Sequence, residues 1–287
     1  MMFNLTPVPI EVVDFYDDGQ DTRHYHFRLH SLEKSLENGV EKETLAAWQK
    51  AQSGQFFMLS LPGVGEAPFT FTELPNEQGK FGALVRQMGS VTHALFECAV
   101  GDIIGARGPF GKGWPMAAMA EQRILIIGGG CGIAPLASVI NELIETQNYR
   151  QLEVIYATRN STTLMLNPDR ARWRHFIPLF NVVEDTAGLS YPDYYQGTAL
   201  GLLPTVLHSF DTQPDLVLMA GPEAMMEAAA EYLVAYGIQP DAINLSIERR
   251  MHCAVGLCGH CYLQDRYVCT DGPTFTWADI RQYQAVG

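Results

Sequence analysis

The chain lacks a long uninterrupted hydrophobic run. Its most apolar stretch, Ile124 to Ile140, is broken by four glycines and a proline. A membrane span needs about 20 consecutive apolar residues, so this stretch reads as strand, turn and helix, and no membrane span is expected. The segment MMFNLTPVPIEVVDFYDDG has neither a basic n-region nor a continuous apolar h-region. No export signal is therefore expected, and the cytoplasm is the expected compartment. Basic charge is scarce: 19 Lys and Arg face 32 Asp and Glu, a net charge of −13. Nucleic-acid phosphates demand basic faces, so nucleic acid is excluded as a partner. There is no internal repeat and no low-complexity tract. No Ser/His/Asp arrangement and no convincing carboxylate pair is present, so no catalytic side chain is expected.

Cysteine is present where it counts. Four of the six cysteines, Cys253, Cys258, Cys261 and Cys269, fall within seventeen residues of one another. The spacing C-x4-C-x2-C opens like the ligand run of a plant-type ferredoxin, whose thiolates hold a 2Fe–2S cluster. Gly256 and Gly259 supply the backbone freedom such a loop needs, and the strand-like Asp265 to Val268 delivers the fourth cysteine. Structural zinc is the rival, but its sites pair two C-x2–4-C knuckles, and here the second pair is split by seven residues. Disulfides would need an oxidising compartment and so an export signal. His252 and His260 sit beside these cysteines, yet four thiolates make histidine ligation unnecessary. Cys98 and Cys131 lie in apolar contexts and read as packing residues.

A length of 287 residues suits two domains and a small module. Residues 1–117 carry short alternating runs between turn signals: Val12 to Phe15, His24 to Leu29, Gln55 to Leu61 and Gly82 to Arg86. That spacing predicts an all-β barrel or sandwich. A helical insert is expected within Ser31 to Ser53, and a helix over Val91 to Val100 that plugs the barrel. The turn cluster Gly108 to Pro115 closes this domain. Residues 118–245 alternate strand and helix, with strands at Ile124–Ile127, Leu152–Ala157 and Leu216–Ala220, and helices at Ala134–Thr146 and Pro222–Tyr236. This predicts a parallel α/β sheet. Residues 246–287 form the cysteine-bearing module.

Glycines between a buried strand and a helix let backbone N–H groups and a helix N-terminus receive a pyrophosphate. Gly128, Gly130 and Gly132 stand in such a turn, followed by Ala134 and Pro135. Close strand–helix packing is the rival reading of such glycines, and GGGCGIAP is not the dinucleotide fingerprint proper. A second turn, Gly221-Pro222, ends a later strand, where ligands of open α/β sheets collect.

Taken position by position over residues 8–280, the chain resembles the ferredoxin–NADP reductase superfamily. Within it, the chain looks like electron-transfer subunits that append a 2Fe–2S module. These are the gamma subunits of cytosolic nickel–iron hydrogenases and the electron-transfer subunits of anaerobic sulfite reductase and of dihydroorotate dehydrogenase. The specific part is ERRMHCAVGLCGHC with YVCTDGPTF, whose short gap before the fourth cysteine looks more like the hydrogenase and sulfite reductase subunits. The resemblance implies FAD on the barrel, held by Pro68, Phe69, Thr70 and Phe71 in a motif of the form R-x-(Y/F)-(S/T). Ala67 departs from it by replacing the arginine, and Arg86, beside Val85 on the next strand, is expected to supply that charge. The second flavin motif matches Gly89, Ser90, Val91 and Thr92; a helix capped by Ser90 or Thr92 is the plainer reading of the same residues. NAD or NADP is expected at the two glycine turns. Ala220 replaces a cysteine common in the family. Arg159 could receive a 2′-phosphate or simply face solvent. The implied activity is electron passage between NAD(P)H, FAD and a 2Fe–2S cluster, to or from a catalytic partner of the hydrogenase type. Sulfite reductase or dihydroorotate dehydrogenase are the alternative partners, and a nicotinamide-blind sensing or docking module is the alternative role.

Overall fold

The structure is a computed structural model that describes residues 5–30, 39–185 and 194–281. Two compact units divide the chain: residues 1–113 with 248–273, and residues 114–247 with 274–287.

The first unit holds β1 (Val8–Asp17), β2 (Thr22–Leu29), α1 (Gly39–Trp48), β3 (Phe56–Leu61), β4 (Gly65–Thr70), β5 (Lys80–Arg86), α2 (Ser90–Phe96) and β6 (Ile103–Phe110). Its six strands form an antiparallel sheet in the order β4-β3-β6-β1-β2-β5. The residues just after β4 close the barrel. Thr72 N donates to Gly82 O at 3.0 Å, and Gly82 N to Glu73 O at 3.1 Å, both onto β5. Alternation along β2 sends Tyr25, Phe27 and Leu29 into the core, with Phe57, Phe71 and Phe81 around them. The helical insert of the sequence reading forms over Gly39–Trp48; residues 31–38 lie outside the described residues. It contributes Trp48, 2% exposed, whose ring lies 5.1 Å from that of Phe81. The expected plugging helix is shorter than 91–100, ending at Phe96, and sends Leu95 and Val91 into the same core.

The second unit carries β7 (Arg123–Gly129), α3 (Ala134–Thr146), β8 (Gln151–Asn160), α4 (Asn167–Trp173), β9 (Leu179–Asp185), β10 (Tyr194–Gln196), α5 (Ala199–Leu207), β11 (Leu216–Ala220), α6 (Glu223–Tyr236) and β12 (Ile243–Ser246). Its sheet runs β10-β9-β8-β7-β11-β12, all parallel, with the segment Thr274–Thr276 added antiparallel outside β12. β7 and β8 run two to three residues past the apolar cores by which the sequence recognises them: Gly128 and Gly129 of β7 pair with Tyr156 and Ala157, and Thr158 and Asn160 of β8 pair with Val183 and Asp185 of β9. The order reverses between β7 and β11, and such a switch point is where open α/β sheets bind ligands. Among the described residues no helix is long and apolar enough to cross a membrane.

Candidate functional site

The cysteine segment belongs to the same compact unit as the barrel. Ala254, Gly256 and Gly259 take φ of +64°, +73° and +78°, which curls Cys253, Cys258 and Cys261 into one loop. The hairpin β13 (Tyr262–Leu263) and β14 (Arg266–Tyr267) then returns the chain through Gln264 at φ +60°. Val268 N donates to Cys261 O at 3.0 Å, which brings Cys269, on the helical turn α7 (Val268–Asp271), back to Cys261. Cys258 has Cys253 beside it, and Cys269 has Cys261 beside it. No pair forms a disulfide.

Backbone amides converge on these sulfurs. Cys253 Sγ accepts from Val255 N, Leu257 N and Cys258 N at 3.4, 3.3 and 3.4 Å, and Cys269 Sγ accepts from Gly256 N at 3.2 Å. Backbone N–H groups, that of His260 foremost, lower the Cys258 thiol. Burial, helped by Cys261, pushes the Cys269 thiol up to about 12. Four thiols on this loop and the turn after it, with N–H groups turned onto the sulfurs of Cys253 and Cys269, fit the donor set of an iron–sulfur cluster, whose anionic sulfurs such groups stabilise. His252 and His260 stack edge-on at 4.3 Å beside the loop.

Arg107 on β6 is the functional candidate that sequence reasoning missed. It donates Nε to Glu66 Oε1 at 3.0 Å and Nη2 to Glu66 Oε2, and it also donates to the carbonyl oxygens of Cys253 at 3.1 Å and His252 at 3.3 Å. No local motif marks it, because its partners lie 41 to 146 positions away. At the end of the segment, Lys112 N donates to Gly272 O. Gly111, at φ +77°, leaves no room for a Cβ, which would stand 2.7 Å from Pro273 Cδ.

On the barrel, Pro68, Phe69 and Thr70 lie along β4, all half-buried. Phe71 and Val85 are fully buried in the aromatic core, so only their backbones remain available to a ligand, while Arg86 ends β5 exposed. The structure sets Val91 of α2 against the start of β4, since a Cβ on Gly65 would lie 3.6 Å from Val91 Cγ2. The cap of α2 differs from a Ser90 cap. Gly89 is the N-cap, and Thr92 reaches back to it: its Oγ1 accepts from Met88 N at 2.8 Å and Gly89 N at 2.9 Å and donates to Gly89 O at 3.0 Å. Ser90, Val91 and Thr92 then supply the first-turn amides that can face an anion. Gly89 has φ −141° and open space where its Cβ would be, so the fold itself does not demand glycine there.

At the switch point the two glycine turns press on each other. A Cβ on Gly132 would fall 2.3 Å from Ala220 O, and one on Gly221 would fall 2.9 Å from Gly129 Cα. Gly129, which sequence reasoning passed over, would place a Cβ 2.7 Å from Met225 Sδ. Close packing thus accounts for Gly129, Gly132 and Gly221, and for Gly128 against Ile133 and Leu136. Gly130 is different: it has φ +53° and nothing within 4 Å of its missing Cβ. It is the turn's open point, followed by a short 3-10 turn and by α3, with Ala134 and Pro135 in the first helical turn. Pro135 O is taken by Trp114 Nε1 at 2.7 Å. Arg159 is exposed near the end of β8, two residues past Ala157, the partner of Gly129 in the ladder.

Family profiles match the chain in three places. Residues 10–114 match an oxidoreductase FAD-binding domain, 126–231 an oxidoreductase NAD-binding domain, and 248–281 the iron-sulfur cluster binding domain of dihydroorotate dehydrogenase B. The chain is 30% identical over 267 residues to sulfhydrogenase 2 subunit gamma of Pyrococcus furiosus, covering 88% of this chain and 90% of that one. It is 32% identical over 222 residues to a probable dihydroorotate dehydrogenase B (NAD(+)) electron transfer subunit of Thermococcus kodakarensis, covering 77% and 83%. Among solved structures, that of an NADH-dependent reduced ferredoxin-NADP oxidoreductase superposes with a TM-score of 0.72 at 20% identity, over 96% of this chain and 92% of that one. That likeness shows the fold.

Proposed function

Because the chain belongs to the ferredoxin–NADP reductase-like family of FAD- and NAD-binding oxidoreductases that carry an iron–sulfur domain, we propose that it is the electron-transfer subunit of a larger redox complex. It moves electrons between NAD(P)H and a catalytic partner subunit by way of FAD and a 2Fe–2S cluster. The observation that carries this reading is the four-thiol loop with amides turned onto its sulfurs, in one chain with flavin and nicotinamide domains. When bound, a nicotinamide would supply hydride chemistry, a flavin the exchange between electron pairs and single electrons, and the cluster single-electron transfer.

The chain's own residues position these groups. Cys253, Cys258, Cys261 and Cys269 are the cluster ligands, in the residue order of a plant-type 2Fe–2S run. Pro68 to Phe71, with Val85 and Arg86, hold the flavin along β4 and β5, and the amides of Ser90 and Val91 face its phosphates. Gly130 admits the nicotinamide pyrophosphate to the switch point, with Gly221 and Pro222 opposite and Arg159 at the ribose. The functional division runs 1–117, 118–245 and 246–287. A hydrogenase-type partner is supported by similarity to sulfhydrogenase gamma along nearly the whole of both chains. Delivery to a dihydroorotate dehydrogenase is the second reading, favoured by the description of the matching iron–sulfur domain.

The test is rapid anaerobic mixing of the loaded protein with NADH and with NADPH. Flavin bleaching should come first and cluster reduction second. If neither nicotinamide reduces the flavin, the oxidoreductase reading fails and a sensing or docking role replaces it.

A further inference from the structure

A second cluster of metal-ligating side chains lies on the barrel, outside the cysteine loop. With Tyr25, Phe27 and Leu29 of β2 in the core, His24 and His26 face the opposite side of the sheet. A bulge between Val12 and Asp14 on β1 shifts the register there. Without it Asp14 would share the core face of Val12; with it Asp14 stands opposite His26. Across β2 on the other side, His26 is paired with Gly82, and Glu73 bridges to that same glycine. A Cβ on Gly82 would sit 2.9 Å from Thr72 Oγ1 and 3.2 Å from His24 Cε1, so glycine lets Thr72, Glu73 and His24 close together.

One ring nitrogen each of His24 and His26 and a carboxylate oxygen of Glu73 lie within 4.8 Å of one another. His26 Nε2 is 3.1 Å from Glu73 Oε1, and its Nδ1 is held by Asp14 Oδ1. An ion-pair network, with Lys80 Nζ 3.6 Å from Asp14, would account for His26. It leaves His24 unexplained. That ring is 1% exposed, contacts Thr72 Oγ1 through Nε2 at 2.8 Å, and keeps Nδ1 buried with no hydrogen-bond partner. A buried polar nitrogen without a partner carries an uncompensated desolvation cost, which coordination of a cation through that nitrogen would remove.

We propose that His24, His26 and Glu73 form a binding site for a divalent ion of the zinc class, with Asp14 orienting His26 from behind. Two imidazoles and one carboxylate are a known zinc donor set that leaves a position open for water. Bonds of about 2.0–2.2 Å put neighbouring donors roughly 3–3.5 Å apart, which the His26–Glu73 pair already satisfies. The Asp14–His26 contact is the carboxylate–histidine arrangement that sets the tautomer and ring angle of a metal-binding histidine. Glu73 and Thr72 also make the hydrogen bonds that close the barrel after β4, so a bound ion would pin that closure.

The experiment adds Zn2+ to anaerobically purified full-length protein with FAD and iron in place. Desalting, metal analysis and competition with a chromophoric chelator then give stoichiometry and affinity. One zinc per chain should be retained with iron and FAD contents unchanged. His26→Gln and Glu73→Gln should abolish retention, and Asp14→Asn should weaken affinity roughly 10–100-fold. Glu73 is a half-exposed side chain, so Glu73→Gln should fold, and its FAD content checks that the barrel is intact. Zinc uptake that displaces iron and is unchanged in Glu73→Gln would place the ion at the cysteines and overturn the proposal, as would no retained zinc in the wild type.

Discussion

Arg107 and Glu66 form a forked ion pair, and the same guanidinium donates to the carbonyls of His252 and Cys253. The arginine side chain is only 5% exposed. It therefore couples a barrel strand to the backbone that carries Cys253, the first cysteine of the loop.

Arg107→Met should leave Glu66 unpaired and release both carbonyls. Breaking a buried pair costs about 3–5 kcal/mol, and the partial exposure of Glu66 puts this case at or below the lower end. Thermal unfolding should shift down, and iron should leave the purified protein faster than from wild type. Arg107→Lys should rescue little, because an ammonium lacks the guanidinium fork. Iron loss at the wild-type rate in Arg107→Met would show that the loop holds itself.

Cys258→Ser should remove the cluster and its paramagnetic signal in the reduced state while FAD stays bound. Wild type should carry about two irons and two acid-labile sulfides per chain, the composition of a 2Fe–2S site. Stoichiometric zinc without sulfide at these four cysteines would contradict the assignment.

The glycine turns separate packing from binding. Gly132→Ala forces a Cβ to 2.3 Å from a backbone oxygen of Ala220, and rigid backbone cannot yield, so this unit should lose stability severely. Gly130→Ala meets open space and should cost only the left-handed backbone penalty, about 1–2 kcal/mol. Gly130→Leu should raise the KM for NAD(P)H while chemical reduction of flavin and cluster stays normal. Equal KM values in Gly130→Leu and wild type would remove Gly130 from the nicotinamide site.

Thr92→Val should loosen the entry to α2, since its hydroxyl serves three backbone groups of Met88 and Gly89. The loss of such a cap costs about 1 kcal/mol or somewhat more, and FAD content after dialysis should fall. Ser90→Ala should leave FAD content unchanged. The reverse ranking of these two variants would restore Ser90 as the cap.

What could be read from sequence was local. The span of α3 over Ala134–Thr146 and of β11 over Leu216–Ala220 follows from apolar periodicity bounded by glycine and proline. The four cysteines within seventeen residues announce their chemistry, because thiolates that close along the chain must share one loop. Tertiary structure decided the rest. That Gly129 is closed off by Met225 while Gly130 stays open depends on how α6 follows β11. That Phe71 turns into the core follows from where β4 ends beside β3 and β5. Arg107 meets Cys253 only because the cysteine segment folds onto the barrel, and Asp14, His26 and Glu73 find one another through strand register and a bulge in β1. Spacing along the chain sets chemistry within a turn or a loop; side chains dozens of residues apart meet only when ladder hydrogen bonds choose which faces align.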